Sequence, residues 1–218
     1  MPRTRVKICC MGSTEEADLA IAAGADAIGL VSAMPSGPGP IDEALICEIA
    51  QFVPRSVGTF LLTSLTKADD IIAQHGRCLT TTIQLVDQIE DGAHHKLRQA
   101  LPGIRLVQVI HVAGPDSIEE ARLVEPLVDA ILLDSGNPKL AVKELGGTGR
   151  THDWSVSAQL VAAVDVPVFL AGGLRAENVA SAILHVRPYG VDICTGVRTN
   201  GHLDPEKLDA FMAAVGSA

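Results

Sequence analysis

The chain has 218 residues, 47% of them hydrophobic and 20% charged, with a formal net charge of −9. That is globular composition, long enough to bury a core without staples. The acidic balance and an aromatic content of 3% argue against a nucleic-acid backbone, single-stranded bases or an anionic membrane as partner. No apolar run reaches about 18 residues, and residues 1–7 lack the apolar stretch of a signal peptide. The five cysteines form no Cys-x-x-Cys and no His/Cys cluster of zinc spacing. No metal site is therefore expected, and the thiols are expected to be reduced in a cytoplasmic protein.

Short β-branched runs alternate with segments of three-to-four spacing. The first run, 6–10, precedes a helix from about Thr14, with Ser13 or Thr14 as cap, Glu16 in the first turn and Gly24 as a left-handed stop. A second run covers 26–31. After it, Pro35-Ser36-Gly37-Pro38-Gly39-Pro40 stands where an active-site loop belongs. A helix over 41–52 carries the stripe Ile41, Leu45, Ile49 and Phe52. Further strands are predicted at 56–62, 81–86, 104–111, 128–134, 166–170 and 191–194. Helices are predicted at 67–74, 92–100, 117–124, 154–164, 176–186 and 205–215. Val179, Ile183 and Val186 line the seventh helix, and Pro205 after Asp204 opens the last.

Eight strand–helix units of roughly 27 residues are close to the minimum for a βαβ repeat. Near-continuous apolar strands mean burial on both faces, as in a parallel sheet. The simplest closure is a single (β/α)8 TIM barrel, one domain over 1–218. An open doubly wound sheet would show a Gly-rich fingerprint after its first strand, and Cys9-Cys10-Met11-Gly12 is not one.

A barrel builds its site at the C-terminal ends of its strands. Lys7 and Cys9, two apart, share a strand face, where an ammonium would favour a thiolate; the plain alternative is a cysteine filling the core. Asp134 ends the apolar run 130–133, where burial would raise its pKa and suit a general acid; the alternative is a carboxylate capping a loop. The stretch 135–153, with Gly147, Thr148, Gly149 and Arg150, reads as a glycine-rich loop able to close over an anion. Gly172-Gly173 and Thr195-Gly196, after strands seven and eight, occupy the usual phosphate position of barrels. His111 and His152 fall near the mouth, whereas His75, His185 and His202 read as surface or loop residues.

Taken together, the residues resemble the phosphoribosylanthranilate isomerase family nearly end to end. The matching pieces include Val6-Lys7-Ile8-Cys9, Leu132-Leu133-Asp134, the run from Gly146 to Trp154, Phe169 to Leu174, Glu177-Asn178-Val179 and Arg187 to Asp192. The resemblance implies an Amadori rearrangement of a small phosphorylated sugar-amine without a cofactor. By it, Cys9 is the base, Asp134 the acid, and the groups near Gly172, Gly173, Thr195 and Gly196 hold the phosphate. Lys7 and the loop residues Gly147, Thr148 and Gly149 join the substrate-binding set.

The departures lie at the aglycone end. Family members usually carry arginine in the loop after strand two, asparagine after strand three and Gln-Leu-His-Gly after strand four. Here 35–40 holds no arginine, Leu62-Thr63-Ser64 stands after strand three, and Gln84-Leu85-Val86-Asp87 after strand four. Cys10 takes a usual glycine position and Arg198 a usual acidic one. Arg198 is the candidate to replace the missing arginine. An isomerase for a different phosphosugar and a non-catalytic phosphometabolite-binding protein are the other readings, and the oligomeric state is left open.

Overall fold

A computed structural model describes residues 3–136 and 151–218. Its eight strands are β1 (Arg5–Ile8), β2 (Ala27–Val31), β3 (Gly58–Thr63), β4 (Thr82–Leu85), β5 (Arg105–His111), β6 (Ala130–Asp134), β7 (Val168–Leu170) and β8 (Gly190–Ile193). After them, in the same order, come α1 (Thr14–Ala22), α2 (Glu43–Phe52), α3 (Ala68–Cys78), α4 (Ala93–Ala100), α5 (Asp116–Val124), α6 (Trp154–Ala163), α7 (Ala176–Val186) and α8 (Pro205–Gly216). Each strand pairs in parallel with the next, and β1 returns to β8 through Val6↔Val191 and Lys7↔Asp192, so the barrel closes as expected. Among the described residues no helix is long and apolar enough to cross a membrane.

Strand alternation divides the apolar residues into two cores. Outward positions such as Ile8, Ile28, Leu61, Ile83 and Ile131 pack under the helices. Inward positions such as Ala27, Phe60, Leu62, Val107, Leu132 and Phe169 fill the barrel. Both faces are dry, which is why the strands read as unbroken apolar runs. With few aromatics available, one edge-on pair, Phe60 and Phe169 with centroids 6.1 Å apart, occupies the lower barrel.

Local signals set most helix ends. The Ser13 hydroxyl accepts from the Glu16 N–H, and Asp42 and Asp204 cap α2 and α8 in the same way. Gly24 takes the left-handed stop at φ 97°. Two expectations shift. The buried stripe of α2 runs through Ile46 and Ile49, and Phe52 is 48% exposed, because the helix starts at Glu43 and its rotation follows from there. His75 is buried rather than superficial, with its Nε2 2.8 Å from the Thr80 carbonyl. After β8 the chain adds a 3₁₀ turn, Thr195–Val197, and a small hairpin pairing Arg198–Thr199 with His202–Leu203. Its turn is Asn200-Gly201, both at positive φ. That is the two-residue hairpin signal in the sequence, and it is what could have revealed this element.

Candidate active site

The cleft opens at the C-terminal ends of the strands, with Cys9, Leu62, Gln84, Leu132, Asp134 and Asp192 in its lining. Lys7 and Cys9 do share the inward face of β1. Gly29 on the neighbouring strand lets them approach: a Cβ there would lie 2.6 Å from the Cys9 Sγ and 3.1 Å from the Lys7 Nζ. Lys7 is 0% exposed. Its Nζ donates to the Asp192 Oδ1 at 2.8 Å and lies 5.2 Å from the centre of the Phe60 ring. Burial pulls the Lys7 ammonium down, but Asp192 and Cys9 outweigh it and hold the pKa above its usual value.

That pairing corrects two expectations. Lys7 is fully buried, committed to Asp192, and is not among the residues that line the cleft. Nor does it make Cys9 a thiolate. Burial pushes the Cys9 thiol up to about 11; Lys7 pulls against this, and Asp192 adds to the rise. A paired ammonium presents little net charge to its second neighbour, so desolvation wins.

Asp134 ends β6 in a buried position and accepts from the Ser135 N–H at 2.7 Å. Burial raises its pKa, with the Ser135 N–H, His111 and Lys7 opposing and Asp192 reinforcing the rise. The protonated, acid-ready form is thereby favoured. Two imidazoles stand by it. His111 is in register with Asp134 across β5 and β6, and its Nε2 donates to the Val86 carbonyl at 3.0 Å, which leaves Nδ1 buried without a partner among the described residues. The His152 Nε2 is 2.7 Å from the Ser157 hydroxyl, its Nδ1 likewise has no partner among the described residues, and burial pushes its pKa down to about 4. Gly172, at φ 82°, fits between these groups: a Cβ there would lie 3.1 Å from the His152 Nδ1 and 3.2 Å from an Asp134 carboxylate oxygen.

Gly172, Gly173 and Thr195 line the same cleft, on the side of the β7 and β8 loops. Gly196 lies just behind, packed on the Leu174 carbonyl. Gly147, Thr148 and Gly149 fall outside the described residues. Arg198 does not replace the missing aglycone cation. Its guanidinium donates to both Glu16 carboxylate oxygens and to the Cys10 and Gly201 carbonyls, and the ion pair is nearly dry, at 9% and 13% side-chain exposure. Glu16 neutralises it and also accepts the Gly12 and Leu203 N–H groups, so the two side chains pin the hairpin to α1. Met34, Ser36, Gly37 and Pro38 supply the cleft wall after β2. Among the described residues, no arginine or lysine lines the cleft.

Two residues of the site escaped residue-by-residue reading. Asp192 was visible only as part of a family motif, because a carboxylate in a short strand gives no hint of the lysine that β1 brings to it. Gln84 is buried in the cleft wall with its Oε1 unpartnered. Its signal was a polar residue between Ile83 and Leu85, two apart from Thr82 and Val86 on the inward face.

The cysteines bring a further correction. Cys10 and Cys194, expected to be reduced, are joined by a disulfide across the exits of β1 and β8, with Cα atoms 5.9 Å apart. Cys9, Cys47 and Cys78 are free. Among the described residues, no three His, Cys, Asp or Glu side chains gather as a metal site.

The family profile of N-(5'-phosphoribosyl)anthranilate (PRA) isomerase matches residues 6–214. The N-(5'-phosphoribosyl)anthranilate isomerase 2 of Methanosarcina mazei is 37% identical over 210 residues, covering 95% of this chain and 92% of its own. The corresponding isomerase of Haloferax volcanii is 39% identical, with coverage of 99% and 94%. The crystal structure of phosphoribosyl anthranilate isomerase from Thermotoga maritima superposes with a TM-score of 0.84 at 27% identity, covering 99% of this chain and 100% of the other. A phosphoribosyl anthranilate isomerase in complex with reduced 1-(o-carboxyphenylamino)-1-deoxyribulose 5-phosphate superposes at 0.82 with 25% identity, again covering 99% and 100%.

Proposed function

Because the chain belongs to the N-(5'-phosphoribosyl)anthranilate isomerase family, we propose that Cys9 and Asp134 are the base and the acid of its reaction. The enzyme is an isomerase of tryptophan biosynthesis and performs an Amadori rearrangement. A phosphoribosyl amine becomes a 1-amino-1-deoxyketose phosphate, with C1′ reduced and C2′ oxidised within one molecule. One observation carries the assignment of roles: a free thiol and a carboxyl group with a raised pKa line the same cleft at the catalytic end of the barrel.

The protonated Asp134 carboxyl gives its proton to the furanose ring oxygen. The C1′–O bond breaks as the nitrogen lone pair forms a C1′=N bond, which leaves a cationic Schiff base. That cation supplies what Lys7 cannot. A positive charge one bond from C1′, beside a dry thiol, lowers the thiol pKa in the complex. Cys9 as thiolate then takes the C2′ proton, and the C–H electrons form C1′=C2′ while the C=N electrons return to nitrogen. The enolamine loses its O2′ proton and gains one at C1′, giving the ketone.

The substrate phosphate belongs on the side of Gly172, Gly173, Thr195 and Gly196. The two glycines at positive φ and the first N–H groups of the Thr195–Val197 turn support this. Gly147, Thr148 and Gly149 belong to the same set by family resemblance. His111 and His152 hold buried acceptors beside Asp134 and position the acid.

Loss of phosphoribosylanthranilate fluorescence on mixing with enzyme measures turnover. Cys9→Ala and Asp134→Asn should each lower kcat by about 10²- to 10⁴-fold. Full activity in either variant would remove that residue from its role. A second reading is an isomerase of the same family for a phosphosugar amine without an aglycone carboxylate. It is favoured by the lack of a cation in the described lining of the cleft. Turnover of a non-carboxylated analogue, with none of phosphoribosylanthranilate at micromolar enzyme, would select it.

A further inference from the structure

Cys10 adopts φ 66°, a left-handed conformation that glycine enters freely and a side chain disfavours. Nothing in the acid–base reaction uses its sulfur. What the sulfur does is bond to Cys194, the residue just before Thr195 in the loop assigned to the phosphate. The bridge crosses the seam where β8 returns to β1 and closes the barrel. Cys10 also abuts the loop after β2: its Sγ is 3.6 Å from the Pro38 carbonyl oxygen, and a Cβ on Gly39 would lie 2.6 Å from its own. One bond thus ties together two loops that line the cleft, after β1 and β8, and Cys10 packs against a third, after β2. Cys194 is half-buried at the mouth and Cys10 is buried, so a reagent entering the cleft meets Cys194 first.

We propose that Cys10 and Cys194 are a redox modification site, a dithiol/disulfide pair that exchanges with small thiols and disulfides and sets the order of the phosphate loop. In the reducing direction, a dithiol's thiolate attacks the Cys194 sulfur and Cys10 leaves as thiolate. The reductant's second thiol then attacks the mixed disulfide, releasing Cys194. Two protein thiols and one reductant disulfide result, with two electrons passed to the protein. Oxidised glutathione drives the reverse and yields two molecules of its thiol. The freed Cys10 thiol can donate to the Pro38 carbonyl, so reduction exchanges a covalent tie to β8 for a hydrogen bond to the β2 loop. The Cys194–Thr195–Gly196 segment then loses its covalent tie to β1 and keeps only its turn, its packing on Leu174 and the Glu16–Arg198 anchor of the following hairpin, so anion binding weakens while the acid–base pair is untouched.

The effect on catalysis rests on the isomerase reading; the thiol chemistry does not. The test therefore begins with thiol counting on unfolded protein. Of the five cysteines, enzyme treated with oxidised glutathione should retain three free thiols, at Cys9, Cys47 and Cys78, and dithiothreitol-treated enzyme all five. Peptide mapping should recover Cys10 linked to Cys194. Inorganic phosphate is then titrated calorimetrically and KM is measured in both states. Reduction should weaken phosphate binding and raise KM by about 3- to 10-fold, the scale of freeing one or two ordered segments, with kcat changing less. Cys194→Ser and Cys10→Gly, the latter relieving the left-handed strain, should each hold the reduced-state values whatever the treatment. Five thiols after oxidation, a bridge through Cys9, or equal phosphate affinity in the two states would overturn the proposal. A changed phosphate affinity without turnover would count against the isomerase reading alone.

Discussion

At the N-terminal end of the barrel, Asp26 and Asp129 stand just before β2 and β6. Each accepts a backbone N–H from the preceding neighbour strand, Val6 at 2.8 Å and Leu106 at 2.7 Å, and each holds exposed arginines. Arg3 and Arg5 reach Asp26 at 2.6 Å while 58% and 50% exposed, and Arg98 reaches Asp129 at 2.8 Å. A well of about 730 Å³ opens beside them, rimmed by Arg5, Arg55 and Arg105. At the opposite end of the barrel, Asp134 on β6 and Asp192 on β8 are buried, and Lys7, paired with Asp192, is wholly enclosed. Water screens the first set, so its charges cost little and contribute little. The second set has no such screening, and each group's protonation is set by its neighbours. On β6 a screened carboxylate, Asp129, and a buried one, Asp134, stand at opposite ends of a single strand, and solvent access is what separates their electrostatics.

Breaking the comparison is easiest at Asp134. Asp134→Asn should lower kcat by about 10³-fold, whereas Asp26→Asn should leave kcat within about twofold, as befits a charge at the wet end. Comparable losses in the two variants would refute the division. Next is a contrast between two salt bridges. Asp192→Asn strands a buried ammonium and should cost about 3–5 kcal/mol in urea unfolding, while Arg5→Gln should leave the unfolding midpoint nearly unchanged. Equal values would mean that water reaches Lys7.

The pH dependence sharpens the picture further. Catalysis needs protonated Asp134 together with Cys9 thiolate. Burial raises both pKa values, and the competent form is lost only above the higher of the two, so the alkaline fall of kcat/KM should come no lower than the Cys9 value of about 11. An alkaline limb below pH 9 would show that the Lys7 ammonium outweighs burial after all. The smallest expected effect belongs to His152. Its pKa is depressed to about 4 in the folded state, against about 6.5 when unfolded. Its contribution is thus present above pH 6.5 and lost as pH falls toward 4, because the unfolded chain binds the proton first. His152→Gln should flatten thermal stability across that window, and an unchanged slope would place the acid sensitivity elsewhere.

Much of this was legible in the chain because local rules sufficed. The eight strands followed from short apolar β-branched runs and the helices from period-3.6 patterns, and Ser13, Gly24 and Pro205 marked helix ends by chemistry that acts over a few residues. Cys9 and Asp134 could be proposed because a barrel builds its site where strands end, and one follows β1 and the other ends β6. Partnerships between distant segments were not legible. Lys7 meets Asp192, Glu16 meets Arg198 and Cys10 meets Cys194 across separations of more than 180 residues, and no periodicity reports such a pairing. All three cross between the first strand–helix unit and the last.

The amino-acid order by itself determined the barrel and its closure and singled out the two residues proposed as base and acid, since buried apolar runs and strand-end position are local properties. The protonation states of those residues were decided only in three dimensions. Lys7 beside Cys9 in a strand suggested a thiolate; burial in the closed barrel pushes the Cys9 thiol up to about 11 against the pull of Lys7, and Asp192, carried to Lys7 by the closing of β8 on β1, adds to the rise. Electrostatics depends on every charge within several ångströms and on the water between them, and both are properties of the folded molecule.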